Sequence, residues 1–555
     1  MTGPRRSARA LALLALLVPP VALHAQTGDS LSTEAVFRAL PSIGSAQEDL
    51  ARVRQVLGRE STDGFLVRSP SSRDGSAAGP GLRWSVIPAE AGLAWNSDIP
   101  FSLNDGALWA GRGLSAQVTA GVRVAAGPVA LVLAPQFTWS QNREFELVAQ
   151  DSAGRSVFFP PWYAGNVTVD LPIRFGDRPA AMVGPGQSSL TVTAGPVAVG
   201  AATENQWWGP GMHTAVVMSN HAEGFPHVFL RTAAPLRTRV GAFEGKWVVG
   251  GLSESLFFDA DEGNDFRSLS GLAATFRPAP VPDLTLGVAR VVYVSLNGRS
   301  DLPKRAFDVF RHWERPQVVT EAIPSSGSAV ADSFRVSLAN PGFDQILSVF
   351  GRWVFPRNGL EVYAEWARLE LPASVTEMLN QPGHSQGYTL GAQWARPLRG
   401  TAILRLQTEL SYLEESSTFN NRPVPSYYVG NSVPQGYTHR GQVVGAATGP
   451  GSSSQWLGGD YLAGSWRLGA FGGRVRWDND VYGTSFAIYK EVGHDVSVFG
   501  GLRGGLRLLG ADFFAEVSRE VRYNYLFQGP LNNPFGNGAT DVNNTIVRIG
   551  VVPGR

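Results

Sequence analysis

Cysteine is missing from all 555 residues, which excludes disulfides, thiolate metal sites and thiol nucleophiles together. Long apolar runs are missing too. Beyond the N-terminal segment no stretch reaches the roughly 18 apolar residues that a membrane-spanning helix needs. Charge is sparse at 17% and nearly balanced, 47 basic against 46 acidic residues, so nothing in it recommends a nucleic-acid partner. Glycine (64), Phe (29) and Trp (15) are plentiful instead, spread along the chain in short alternating bursts, and the mean hydropathy is close to zero.

The alternation has a period of two. Ala402, Leu404, Leu406, Thr408, Leu410 and Tyr412 alternate with Ile403, Arg405, Gln407, Glu409 and Ser411. Leu360, Val362, Ala364 and Trp366 alternate with Glu361, Tyr363 and Glu365, and Ala511, Phe513, Ala515 and Val517 with Asp512, Phe514, Glu516 and Ser518. Each such strand has a greasy face tipped by Trp or Tyr and a charged face. Aromatic ends suit lipid headgroup belts, so the greasy face is expected outward in a membrane and the charged face inward, giving a crowded lumen rather than an open pore. The pattern predicts an all-β fold, a transmembrane antiparallel β-barrel over residues 84–555, with 16–18 strand candidates. Irregular segments at 259–267, 297–334, 372–385, 416–454 and 529–544 are expected as its long loops.

Ahead of the barrel, Arg5, Arg6 and Arg9, an apolar run at 10–18 and Ala22-Leu23-His24-Ala25 follow the order of a secretory signal peptide over residues 1–25. Residues 26–60 turn to a helical period. One segment at 34–40 is closed by Pro41. A second, at 45–57, opens on Ser45 with Glu48 three residues on, sets Leu50, Val53, Val56 and Leu57 on one stripe and stops at Gly58. This predicts a periplasmic amphipathic helical hairpin, its stripe covering the barrel mouth. Residues 61–83, rich in Ser, Gly, Pro and Arg from 69 to 81, read as a linker.

Residues 204–211 read Glu-Asn-Gln-Trp-Trp-Gly-Pro-Gly, two adjacent indoles ending in a turn. In a strand Trp207 and Trp208 face opposite ways, so core packing accounts easily for only one of them. The octapeptide, continued through His213-Thr214-Ala215-Val216-Val217-Met218-Ser219-Asn220, Gly224-Phe225-Pro226-His227 and Gly251-Leu252-Ser253-Glu254-Ser255, resembles the signature of the capsule-assembly Wzi family. So do Asp105-Gly106-Ala107-Leu108-Trp109, Leu171-Pro172-Ile173-Arg174-Phe175-Gly176 and Gly436-Tyr437-Thr438-His439-Arg440-Gly441. The resemblance implies a barrel of about 18 strands in the cell outer membrane, capsular or extracellular polysaccharide as partner beside the membrane lipid, and contact with polysaccharide-export machinery.

Sugars are recognised by flat aromatic faces together with carboxylates, amides and imidazoles that take their hydroxyls. Glu204, Asn205, Trp207 and Trp208 supply these within five residues, and His213, Asn220 and His227 are expected on the next two strands. A structural lock on the barrel mouth explains the same residues equally well. Tyr437, His439 and Arg440 form a second candidate, Arg being suited to an acidic sugar's carboxylate; the competing account packs this loop into the lumen against wall carboxylates. His213, His221 and His227 stand eight and six apart, outside zinc-ligand spacing, and Ser219 before His221 is not a nucleophile setting. No cofactor, metal or enzymatic activity is therefore expected. Two functions fit: a lectin-like barrel that binds or organises exported polysaccharide at the cell surface, and, alternatively, a porin-like channel for saccharides or other small solutes.

Overall fold

The period-two segments pair edge to edge until the sheet meets itself. In the computed structural model, residues 43–73, 81–148, 155–163, 168–311, 318–324, 331–338, 342–372, 374–416, 424, 426–483, 493–528 and 541–553 are described. With every strand numbered in chain order, β1 (Val67–Arg68) lies inside the barrel and the wall starts at β2 (Leu82–Asn96) and β3 (Gly113–Ala126). The third stave is β4 (Val129–Leu133) with β5 (Gln136–Ser140), the fourth β6 (Ala180–Gly184) with β7 (Ser189–Ala194), and the fifth β8 (Val197–Ala202). After the internal β9 (Trp207–Trp208) come β10 (His227–Thr232) with its extension β11 (Leu236–Arg237), β12 (Gly241–Ser253), β13 (Phe266–Pro278) and β14 (Leu284–Leu296). β15 (Val318–Pro324) and β16 (Ala331–Leu338) pair only with each other, a hairpin within a segment expected to be irregular. The wall resumes with β17 (Asp344–Phe355), β18 (Leu360–Arg368), β19 (Gln386–Pro397) and β20 (Ile403–Tyr412). Beyond the small ladder of β21 (Thr438–His439) and β22 (Gln442–Val443), it ends with β23 (Ser453–Ala463), β24 (Trp466–Arg476), β25 (Val496–Leu508), β26 (Ala511–Tyr523) and β27 (Val542–Pro553). The cylinder closes antiparallel, Ala91 of β2 opposite Val551 of β27, which makes 18 staves.

Connections sort by length. Turns of two to five residues gather at the end that holds the start of β2 and the finish of β27, and the long loops gather at the other. In an outer-membrane barrel the first end is periplasmic. One turn shows the local chemistry: Leu509 (φ 53) and Gly510 (φ 75) are both left-handed, the backbone a two-residue hairpin requires. Along β20, Arg405, Gln407 and Glu409 are buried inward while Leu406 and Leu410 stand exposed on the outside. Trp84, Trp353 and Trp466 are exposed near the periplasmic turns and Trp95 and Tyr523 near the loops, two aromatic levels around an apolar band.

The lumen is filled from both ends. Helix α1 (Ala46–Val56) starts at Ser45, whose Oγ accepts from Glu48 N (3.2 Å) while Glu48 accepts from Gly44 N (2.7 Å), the reciprocal cap the sequence suggested. Val53 and Val56 pack on Ala395 and Leu462, with Leu50, Leu57 and Ile403 alongside, at the turn-bearing end of the wall. The expected partner segment at 34–40 lies outside the described residues. Residues 61–73 depart from the linker reading. They thread the lumen, and β1 pairs with β9, Val67 opposite Trp208 and Arg68 opposite Trp207.

Candidate functional site

Two loops fold inward from the extracellular end, residues 203–226 and 426–452. The first was expected to supply strands for His213 and Asn220. It forms none beyond Trp208, because its backbone finds partners other than a ladder. Glu409 on the wall accepts from Met212 N (2.6 Å), His213 N (3.1 Å) and Tyr363 Oη (2.6 Å), and Glu365 accepts from Val216 N (3.2 Å). Inward carboxylates thus replace the sheet as acceptors, and they do so where β-pairing would have filled the lumen with another strand.

The ten sequence candidates divide into three groups. Glu204, fully buried, accepts from Ser71 N (2.7 Å) and Ser71 Oγ (2.5 Å) and faces Lys246 Nζ at 3.6 Å. Asn205 donates to Ala222 O (2.8 Å) and accepts from Gln187 (2.6 Å), and His227 joins Gln206 (3.1 Å) to Phe225 O (2.8 Å). Trp208, 0% exposed, sits among Leu66, Val216, Met218, Val248 and Leu269. These four residues hold the inward loop to the wall and to residues 66–71, so each is engaged within the protein. Glu204, Asn205 and His227 have their partners in place and Trp208, its Nε1–H without a protein acceptor, is enclosed by apolar side chains; burial is the physical reason they offer no surface to a glycan.

The second group lies at the top of the wall. Tyr437 is fully buried between Tyr293 and Tyr428, ring centroids 5.0 and 6.1 Å away. His439 Nδ1 accepts from Ser253 N (3.0 Å), and its Nε2 lies 3.3 Å from Glu223; burial holds its pKa below the ordinary value. Arg440, in a left-handed backbone (φ 49), pairs with Glu223 at 2.7 Å and keeps 52% of its side chain exposed. The carboxylate that satisfies this pair belongs to the other inward loop, where a wall carboxylate was expected.

Trp207, His213 and Asn220 make the third group. They line a luminal cavity of about 500 Å³ between the inward loop, α1 and the wall strands β23–β27. Trp207 turns its opposite face to the Arg68 guanidinium, 4.9 Å from the ring, and its Nε1–H meets no protein acceptor although the residue is 1% exposed. His213 lies over Trp456 with ring centroids 4.0 Å apart, and its Nε2 also lacks a protein partner. Burial, reinforced by the Arg503 guanidinium, depresses its pKa to about 3, so the imidazole is neutral at physiological pH. Asn220 donates to Ile43 O (3.1 Å) and leaves its Oδ1 without a protein donor.

The wall side of this cavity was not singled out in the sequence. Trp456 and Phe471 stack at 6.2 Å, Phe499 and Phe514 also line it, and Arg503 lies 5.1 Å from the Trp456 ring. The available signal was a break in polarity. Four aromatic side chains stand on the inward face of consecutive strands whose other inward residues include Asp460, Arg503 and Glu516. Flat aromatic faces opposite unpartnered donors and acceptors can take a polar ligand with an apolar face; among the described residues no group of side chains has the make-up of a metal site.

A closed 18-stave barrel, greasy outside, charged inside, with aromatic levels at both ends, is an outer-membrane β-barrel protein. Residues 102–311 match the family model for capsule assembly protein Wzi. Among solved structures, Wzi of Escherichia coli, an outer membrane protein involved in group 1 capsule assembly and a carbohydrate-binding β-barrel, is 11% identical with a TM-score of 0.52, the alignment covering 94% of this chain and 91% of that one. OccK2 of Pseudomonas aeruginosa (9% identity, TM-score 0.38, 85% and 97% covered) and OccAB2 of Acinetobacter baumannii (8%, 0.37, 83% and 97%) are more distant. No curated protein sequence matches the chain.

Proposed function

We propose that this protein binds exported capsular or extracellular polysaccharide at the cell surface and does no chemistry on it. The observation that carries the reading is the luminal cavity, lined by Trp456, by the neutral imidazole of His213 stacked on it and by Trp207, whose Nε1–H meets no protein acceptor. Its volume of about 500 Å³ lies within the usual range for sites that take small molecules, enough for a short saccharide segment but not for a polymer in bulk. The family match and the carbohydrate-binding character of Escherichia coli Wzi support the same reading. Of the ten sequence candidates, Trp207, His213 and Asn220 are the contacting residues under this proposal. Glu204, Asn205, Trp208 and His227 fix the loop that presents them, and Tyr437, His439 and Arg440 brace it at the wall. Outer-membrane lipid surrounds the barrel, and α1 faces the periplasm where an export component would dock.

The channel alternative meets a lumen blocked by α1, residues 61–73 and both inward loops. Titration calorimetry of the detergent-solubilised protein with oligosaccharides released from the native surface polymer separates the two. Trp456→Ala is expected to weaken binding by about 1–3 kcal/mol, the worth of an aromatic stacking surface, while heat-modifiable migration on gels stays unchanged. Undiminished binding by a folded Trp456→Ala variant removes the cavity from the proposal.

A further inference from the structure

The barrel wall is low on one side. β8 and β10 have six residues each, whereas β12 and β13 have thirteen. Beyond Ala202 and before His227 the chain turns into the lumen, so the staves on either side lose their neighbours. β6 pairs only with β5, and the last residues of β12, Gly251 to Ser253, pair only with β13. Among the described residues no strand spans this notch. It is closed instead by the tip of the β21–β22 hairpin: Arg440 N donates to Ser253 O (2.8 Å), and the Arg440 guanidinium reaches Glu223 (2.7 Å) and Met182 Sδ (3.3 Å).

Below the notch, on the outer face, the segment 299–311 folds back against the wall. Two outward polar side chains pin it, Ser270 donating to Ala306 O (2.7 Å) and Arg290 to Val309 O (2.9 Å) and Arg311 O (2.7 Å). Phe307 and Phe310 lie beside Trp247, 5.1 and 5.7 Å away. The angle between segment and wall is an apolar groove of about 800 Å³, lined by Leu133, Leu190, Val199 and Leu230 on one side and Leu302 and Pro303 on the other. Its rim is cationic. The segment carries Arg299, Lys304, Arg305 and Arg311 against Asp301 and Asp308, and the Lys304 and Arg305 side chains are 76% and 36% exposed.

We propose that this groove seats the acyl chains of a phosphate-bearing lipid of the outer leaflet, with Lys304 and Arg305 on the segment meeting its anionic head. The site faces hydrocarbon, where acyl chains are the available apolar occupant, and positive charge at the rim selects a phosphate over a zwitterionic head. Such a lipid would hold the loop segment against the wall below the notch.

The test is native mass spectrometry of the full-length protein in nanodiscs holding diphosphoryl lipid A and phosphatidylethanolamine in equal amounts. Wild type is expected to retain lipid A selectively through detergent release. The double variant Lys304→Gln, Arg305→Gln should lose at least about tenfold of that retention, from roughly a fivefold factor per removed charge. Ala201→Trp fills the groove from the lipid-facing side without touching the lumen, and should lower retention comparably while leaving heat-modifiability intact. Equal retention of the two lipids by wild type, or unchanged lipid A retention in either folded variant, overturns the proposal.

Discussion

The indole of Trp208 rests on Gly271 of β13: a Cβ placed there would stand 2.9 Å from the ring's Cη2 and 3.1 Å from Val248 Cγ2. The wall gives up a side chain at this point so that the largest residue of the inward loop can lie flat against it. Gly271→Ala forces the ring or the strand to shift and should destabilise the barrel by about 1–3 kcal/mol. Trp208→Ala opens a cavity in the same place and should cost about 3–5 kcal/mol. Both are read as a lowered temperature for loss of heat-modifiable migration. If the tryptophan served a ligand instead of the fold, that temperature would stay at the wild-type value.

The helix is tied to the wall by charge as well as by its apolar stripe. Arg52 Nε donates to Glu361 at 2.9 Å, Glu361 accepts from Arg352 at 2.7 Å, and Arg352 also reaches Gln55 at 2.7 Å, all of them buried. Removing only Glu361 leaves two buried guanidinium groups facing each other. Glu361→Ala should therefore cost about 3–5 kcal/mol, whereas removing Arg52 as well should recover part of that loss. A double-mutant cycle on unfolding checks it, with protease cleavage near residue 60 reporting release of α1. Strictly additive effects would mean that the ions do not act as a unit.

Much of this architecture was legible in the residues because one face of every wall strand is fixed by its solvent. Leu406 and Leu410 outward with Arg405 and Glu409 inward follow from period two alone, and the Ser45–Glu48 cap announced α1. The interior was not legible, for a physical reason. Met212, His213 and Val216 satisfy their backbone N–H groups on Glu409 and Glu365, which are about 150 to 200 positions away in sequence, and no local pattern signals an acceptor that distant. The β1–β9 pairing is equally non-local and only two residues long. The pairing of β15 with β16, by contrast, lies in and just beyond the segment 297–334 that was expected to be irregular. At the cavity, Trp207 and His213 stood out by type. Trp456 needed the strand register to show that it faces inward.

One extracellular loop should loosen as the pH rises. Asp478, left-handed at φ 45, accepts from Tyr163 Oη (2.6 Å) and Trp162 Nε1 (3.1 Å), and burial, together with the nearby Asp480, raises its pKa from 3.8 to about 8. Burial raises Asp480 to about 6. A raised folded pKa means that the contribution is complete below the unfolded value and is lost as the pH climbs through the folded one. Docking of residues 477–482 is thus strongest near pH 4 and weakens progressively towards pH 8. Hydrogen exchange of this segment, corrected for its intrinsic pH dependence, should show protection falling between pH 5 and 8. Asp478→Asn keeps a left-handed-tolerant residue without the ionisation and should flatten the profile. An undiminished slope in that variant would assign the effect elsewhere.

Blocking of the lumen makes the electrical behaviour a direct consequence of the plug. Wild-type protein in planar bilayers should pass little steady current, since α1, residues 61–73, 203–226 and 426–452 occupy the bore. Deleting residues 43–73 removes α1 and β1 together, and with β1 goes the strand that pairs with Trp207 and Trp208. Arg405 and Glu361 then face water, which solvates them readily, so the wall should survive as a cylinder while the inward loop loses half its support. Large, fluctuating conductance is expected from this variant. Adding Glu365→Gln and Glu409→Gln weakens the remaining backbone anchors of residues 212–216, and should raise open probability further. Steady pore currents from the intact wild-type chain would instead show that the plug leaves a conducting path, and the channel alternative would then take precedence over retention of polysaccharide.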